Sequence, residues 1–398
     1  MMGPARPASA APTEPAWGAV FSLTLGVFGL VTAEFLPASL LTPMAADLHV
    51  TEAMAGQAVT ATAMVALVAS LLISAATRQI DRRHVLLAFS VLLLVSNLMV
   101  AFAPDLLSLL VGRVLLGVAL GGFWAMSAAI AMRLVPEAMI PRALSMIFSG
   151  VSAATVFAAP VGSYLGDLLG WRAVFLMAGG LGLVALVAQF LTLPRMAPSG
   201  HTSLRTLGEV LARPGVGLGM LSIILVFTGH FALFTYVRPF LETVTGVGVS
   251  GVSGILLGFG VANFAGTYLG GALLERSMRL TLAVMPLTMG LLGLGLAALG
   301  GSPVVASVLI ALWGVAFGAV PVAWSTWITR TVPDEAESAG GLFVAGVQLA
   351  IAAGAAGGGA IFGITGAGGV FSVSGVVLLL AALVVAGGVR TRAVAVTA

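Results

Sequence analysis

The chain has 398 residues, of which 60% are hydrophobic and 8% charged, with a formal net charge of +3. Soluble domains carry roughly 25% charged residues, and so sparse a charged surface does not keep a monomer in solution. A soluble enzyme, a nucleic-acid binder and a disordered chain are excluded on that ground, and a bilayer is the environment that fits. Cysteine is absent, so disulfides, thiolate chemistry and Cys metal sites are excluded too.

In chain order, residues 1–16 are rich in Ala and Pro and are expected to form a disordered tail. Twelve apolar runs follow, at about 17–41, 55–77, 84–103, 106–132, 142–169, 171–193, 216–241, 252–274, 280–300, 303–328, 339–363 and 369–389. Each is near the roughly 20 residues that an α-helix needs to cross the hydrocarbon core. They are continuously apolar rather than alternating, which excludes barrel strands. The first run is long enough to span, so it is expected to stay as an anchor rather than be cleaved. The 52 Gly and 18 Pro suit membrane helices, where close approach and kinks are tolerated.

All 17 basic residues are arginine. The spans place Arg6, Arg78, Arg82, Arg83, Arg133, Arg142, Arg195, Arg205, Arg213, Arg276, Arg279, Arg330, Arg390 and Arg392 on one side. The other side carries Arg172, Arg238 and mainly acids: Asp47, Glu52, Asp105, Asp167 and Glu242. Positive charge marks the cytoplasmic side, so both termini are expected there. The basic balance reflects topology and anionic lipid, not nucleic acid.

The organisation expected is an N-terminal six-helix bundle (17–193), a cytoplasmic linker (194–215) holding a short amphipathic helix, a C-terminal bundle (216–389) and a tail (390–398). An internal repeat supports two halves. Gly117, Gly121, Arg133, Val135 and Pro136 recur 197 residues on as Gly314, Gly318, Arg330, Val332 and Pro333. At the same offset Glu137 faces Asp334 and Arg82 faces Arg279. Parallel six-helix repeats describe a transporter architecture.

The motifs resemble the major facilitator superfamily and, within it, the twelve-span drug:proton antiporters. Span four, LLVGRVLLGVALGGFWA, is similar to the superfamily's pattern with Arg113 at its arginine. Span five, AAPVGSYLGDLLGWRAVF, resembles the antiporter motif through Pro160, Gly162, Gly166 and Gly170, with Ala159 where Gly is usual. The loop RQIDRRHVLL matches the superfamily loop only in part: Arg78 falls at the signature Asp and Asp81 replaces a Gly, beside Arg82 and Arg83. Longer segments, among them VTAEFLPASLLTPMAADL and VPVAWSTWITR, resemble the bacterial branch that exports purine ribonucleosides against a proton. The resemblance implies an all-α fold of two pseudo-symmetric six-helix bundles in the bacterial inner membrane. It also implies antiport by alternating access, working as a monomer, with the proton gradient as its energy source and no cofactor.

Two ionisable groups lie inside the predicted spans, where each costs roughly 2.5–3.5 kcal/mol on the insertion scale. Glu34 and Arg113 fall at matching depths, about seven residues or roughly 10 Å from the same membrane face. They are expected to meet and to exchange charge state during transport, unless they form a static ion pair. His230 is a further proton-coupling candidate, because histidine titrates near neutrality. A planar base edged with donors and acceptors needs aromatic faces, amides and hydroxyls. Gln57, Phe123, Trp124, Ser127, Phe234, Tyr236, Asn263, Trp324, Thr326 and Gln348 supply them. Trp17, Trp171 and Trp327 are assigned to interfacial belts. Gly-x3-Gly pairs, including Gly254/Gly258 and Gly266/Gly270, are expected to pack helices, and for those of span five the resemblance implies a further role in sealing the halves.

Rival classes fit less well. Gly251–Gly254 matches the G-x-S-G of intramembrane serine proteases, but no histidine follows His230. No ring or filter of a channel is present, and no His/Asp/Glu cluster has metal-ligand spacing. Among carriers, an exporter of sugars such as arabinose, or of hydrophobic drugs, remains the alternative.

Overall fold

The computed structural model describes residues 14–136, 139–197 and 204–388. Most of the predicted tails, with Arg6, Arg390 and Arg392, lie outside the described residues, as does Glu137. The elements are α1 (Trp17–Ser39), α2 (Leu41–Asp47), α3 (Glu52–Ala55), α4 (Gln57–Ala76), α5 (Arg82–Ala101), α6 (Leu106–Leu134), α7 (Ile140–Leu169) and α8 (Trp171–Thr192). They continue with α9 (Leu204–Leu211), α10 (Val216–Thr235), α11 (Val237–Thr243), α12 (Val249–Arg276), α13 (Met278–Leu299), α14 (Pro303–Thr331) and α15 (Ala336–Gly388).

Eleven of these helices are long and apolar enough to cross a membrane. The last has 53 residues, roughly 80 Å of helix and far more than one crossing uses. Gly366 divides it: φ 69° and ψ −169° is a conformation open essentially to glycine alone. The two legs complete twelve crossings, as the apolar runs predict.

Spans one and seven are shorter than expected. Each ends in a break, at Leu40 (φ −112°, ψ 10°) and Tyr236 (φ −106°, ψ 14°), before a seven-residue helix begins. Pro43 and Pro239 sit in the first turns of α2 and α11. Proline lacks an N–H and crowds the carbonyl four residues before it, so it ends one helix and suits the start of the next. The carbonyls of Ser39 and Thr235 thereby lose their helical partners.

The repeat is visible in three dimensions. Gly117 and Gly121 of α6 lie on the backbone of Thr62 and Ala66 in α4. Gly314 and Gly318 of α14 lie on that of Phe259 and Asn263 in α12, every member 197 residues further on. The first spans follow a slightly different register. Gly150 meets Thr24 and Phe28, and Gly346 meets Met220 and Ile224, each 196 residues on. The predicted equivalence of Arg82 and Arg279 is corrected by the same shift. Arg83 donates to the Phe190 carbonyl (2.7 Å) and Arg279 to that of Ala386 (2.9 Å), so Arg83 is the counterpart of Arg279.

Within each half the helices pair closely, α1 with α7, α4 with α6 and α5 with α8, mirrored by α10 with α15, α12 with α14 and α13 with α15. The halves meet along two seams, α4 on α15 and α7 on α12. Twelve crossings put residues 17 and 388 on one face. Arg78, Arg133, Arg142, Arg195, Arg276 and Arg330 lie at helix ends there; it is called the basic face below, and the opposite one the far face.

A side chain at Gly121 would drive into the Ala66 backbone. Gly121→Leu is therefore expected to cost about 3 kcal/mol, read as a lowered unfolding temperature of the purified protein. An unchanged temperature would disprove the backbone-on-backbone contact.

Candidate functional site

A crevice between the halves opens towards the basic face. Along α1, Phe21, Leu25, Phe28, Thr32 and Phe35 are exposed or half-exposed, at spacings of three and four. One helix face carries them. Its last member, Phe35, meets the ring of Phe234 from the other half edge-on, with centroids 5.4 Å apart, so this face looks across at α10. There Leu221, Ile224 and Thr228 form the matching stripe. Beyond Phe35 and Thr228 both helices are buried to their ends.

Glu34 and Gln348 lie at the closed end of this crevice. Glu34 is 9% exposed and Gln348 of α15 is 4% exposed, with the Gln348 amide beside the Glu34 carboxyl. Glu34 Oε1, Gln348 Oε1 and the hydroxyls of Thr32, Thr60 and Thr228 are buried without a hydrogen-bond partner. Thr32 and Glu34 are the repeat counterparts of Thr228 and His230, 196 residues on.

Arg113 meets Glu34, but not as the expected carboxylate ion pair. Its guanidinium donates to the backbone carbonyls of Ala33 (2.7 Å), Ala58 (3.1 Å) and Glu34 (3.4 Å), and no ion pair joins it to the carboxylate. A guanidinium has five donors in a rigid fork, and here they fasten α1 to α4 through α6.

His230 is enclosed by aromatic rings. Phe317 stacks on it at 3.2 Å, Phe231, Phe234, Phe259 and Trp313 surround it, and the Trp313 indole donates to Nδ1 at 3.1 Å. Accepting at Nδ1 fixes the neutral tautomer with hydrogen on Nε2. This is the geometry of a packed, hydrogen-bonded histidine. Phe234 connects the cluster to the crevice.

On the far face the halves are clasped. Arg238, 4% exposed, donates from Nη1 to the freed Ser39 carbonyl (2.6 Å) and Ser163 Oγ (3.4 Å), both in the other half. Its Nε donates to Glu242 Oε1 (2.8 Å), and Thr42 of the other half donates to Glu242 Oε2 (2.6 Å). Sequence reasoning assigned Arg238 and Glu242 no role. The available signal was the Pro43/Pro239 pair, which marks where a carbonyl is released. Tyr236, expected to bind substrate, belongs to this seal. It is fully buried, its hydroxyl donates to the Ala355 carbonyl (3.1 Å), and its ring lies against Gly56 of the other half and Gly358.

The remaining predicted residues are dispersed. Gln57 is exposed at the far-face end of α4. Phe123 is buried in the N-terminal core, and Trp124 stacks on Phe148 at 5.6 Å. Ser127 donates to the Trp124 carbonyl and Thr326 to that of Val322, each within its own helix. Trp324 is 1% exposed, edge-on to Trp327. Trp327 is no belt residue: also 1% exposed, it fills the space beside Gly219. Trp171 is likewise buried and donates to Asp47, which Arg172 also contacts. Asn263 is buried with Nδ2 unpartnered.

The motif residues act within one half. Gly162 and Gly166, which follow Pro160, lie against Leu36 and Ser39 of α1 and against Leu40 just after it, so they do not face the other half. Gly170 packs against nothing; its φ of 83° turns α7 into α8. A Cβ at Gly254 or Gly258 would meet nothing, whereas Gly266 and Gly270 do pack on α14. The seam of α7 and α12 instead uses Gly260, on the backbone of Thr155 and Val156. Asp81 caps α5 through Arg83 N and also accepts from Met196 N. Burial opposes its charged form, but these N–H groups, with His84 and Arg133, hold the carboxyl below the usual range. Arg82 donates to Thr77. No group of three metal-ligating side chains occurs among the described residues.

Two six-helix halves meeting along two seams are the architecture of a membrane transporter. The sequence model of the Major Facilitator Superfamily matches residues 23–354, and the chain belongs to that family. It is 47% identical over 377 residues, 95% of each chain, to the purine ribonucleoside efflux pump NepI of Salmonella enteritidis PT4 (strain P125109). It is 46% identical over 380 residues, 96% of each, to the NepI pump of Escherichia coli O1:K1 / APEC. In fold it is similar to the crystal structure of a D-xylose–proton symporter, with TM-score 0.73, 18% identity and coverage of 94% and 97% of the two chains.

Proposed function

We propose that the protein is a proton-coupled antiporter that exports purine ribonucleosides, with its basic face and both termini in the cytoplasm. The observation that carries this is the crevice end, where Phe35 and Phe234 form an aromatic ceiling beside unpaired groups on Glu34, Gln348, Thr32 and Thr228. Rings suit a planar base, and unpaired amides and hydroxyls suit its edges and its ribose. The relatives at 46–47% identity bear the matching substrate name. Glu34 carries the proton, and Arg113 holds the helix around it. One chain contains the whole crevice, so a monomer suffices, and the proton gradient is the only energy source required.

The test is proton-driven uptake into inverted vesicles of inosine, guanosine, arabinose and a hydrophobic drug, compared side by side. Saturable inosine and guanosine uptake that collapses with an uncoupler is expected. Arabinose or drug uptake without inosine uptake would overturn the proposal.

A further inference from the structure

Aromatic rings line one wall of the crevice well before its closed end. On α1, Phe21 is exposed and Phe28 half-buried. On α7, Phe148 is 50% exposed. The Trp124 indole of α6 stacks on it, with centroids 5.6 Å apart and planes 25° from parallel. Phe123, buried in the N-terminal core, supports Trp124 edge-on at 5.8 Å, so this platform has a fixed back.

Helix geometry turns Phe148 towards the other half. It lies two turns of α7 before Thr155 and Val156, and therefore on the same helix face. Gly260 of α12 sits on the backbone of those two residues and closes the seam there. Two turns nearer the basic face the Phe148 ring is uncovered. Trp124 stands ten residues before Leu134, the last of α6, and Phe148 eight after Ile140, the first of α7. That is roughly 12–15 Å from the basic-face ends of both helices. Phe35 at the closed end is roughly 25 Å along α1 from the same face.

The repeat shows that packing alone does not call for rings here. The counterparts of Phe21, Phe28 and Phe148, each 196 residues on, are Gly217, Ile224 and Val344, and that of Trp124, 197 on, is Pro321. The equivalent helices of the C-terminal half pack in the same pairs without a ring at any of these places. An aromatic surface confined to one wall offers a stacking face for one side of a planar ring.

We propose that Trp124 and Phe148 form an entry subsite for the purine base, which stacks on them between the basic face and the crevice end. This assignment rests on the reading of the protein as a purine ribonucleoside exporter. Stacking accepts any base, because each has a π face, so the subsite selects a planar heterocycle without separating inosine from guanosine. Capture here precedes movement of the halves, so it lowers KM and leaves the turnover step alone.

The test is uptake of inosine and guanosine into inverted vesicles, with KM and turnover measured separately. Trp124→Leu and Phe148→Leu are each expected to raise KM at least about fivefold for both nucleosides. Turnover is expected to change less than about twofold, and Trp124→Phe to keep the native KM. A residue that only packs α6 against α7 would alter turnover or the amount of protein, and leave KM alone. Tryptophan fluorescence of the purified full-length protein, titrated with guanosine, is the second readout. Quenching is expected in the native protein and its loss in Trp124→Leu. If both leucine variants carry both nucleosides with the native KM, this inference is overturned and the exporter assignment stands. If the native protein takes up neither nucleoside, the exporter assignment fails, and this inference with it. Should Trp124→Leu not fold, Phe148→Leu decides, because its ring is exposed and fills no core.

Discussion

Glu34→Gln is expected to abolish gradient-driven export while leaving nucleoside binding and exchange intact. The substitution keeps the shape of the side chain and removes its capacity to ionise, at the closed end of a crevice that reaches the basic face. One charge moved through 100 mV supplies about 2.3 kcal/mol, which corresponds to roughly fiftyfold accumulation. That factor is expected to fall to equilibration. Counterflow at equal pH, which needs only the movement of a loaded carrier, is expected to continue. Undiminished accumulation by Glu34→Gln vesicles would remove the carboxyl from the coupling mechanism.

Arg238→Ala is expected to open the far face. The substitution deletes the charge-assisted bond to the Ser39 carbonyl and loosens Glu242, which holds Thr42. Hydrogen bonds to charged groups are worth about 1.5–3 kcal/mol each. Losing about 3 kcal/mol across the halves shifts the ratio of closed to open forms by roughly a hundredfold. Spin labels at Leu107 and Val304, exposed at the far-face starts of α6 and α14, are expected to show a longer distance, and export to slow because the carrier returns less often to the basic side. Folding is expected to survive, because Arg238 binds at the junction of the halves rather than inside either one. An unchanged distance distribution would show that the far face closes without the clasp.

The twelve crossings and the repeat were legible because both are written in local composition: long apolar runs, and glycines at a constant offset. Glu34 and Arg113 were legible for a related reason, since charge is rare enough here to be conspicuous. What Arg113 holds was not. Its partners are the carbonyls of Ala33, Glu34 and Ala58, and backbone acceptors leave no mark in a sequence. Arg238 and Glu242 went unassigned because a charged residue at the end of a span looks like an ordinary surface group. Trp324, Trp327 and Tyr236 carry the residue types of a ligand pocket or a membrane belt. Only the paths of α10 and α14 bury them. Gln348 was singled out by residue type alone, and its burial follows from the packing of α15.

The glycine contacts have a mechanical consequence. Where Gly117, Gly121, Gly314 and Gly318 bring backbone onto backbone, each half is stiffened like a plate, with little side-chain slack to absorb strain. Motion is then confined to the joint between the plates. A mutational survey of this protein will accordingly separate into two populations. Changes inside a plate will alter how much protein is made, and changes at the joint will alter how fast it works.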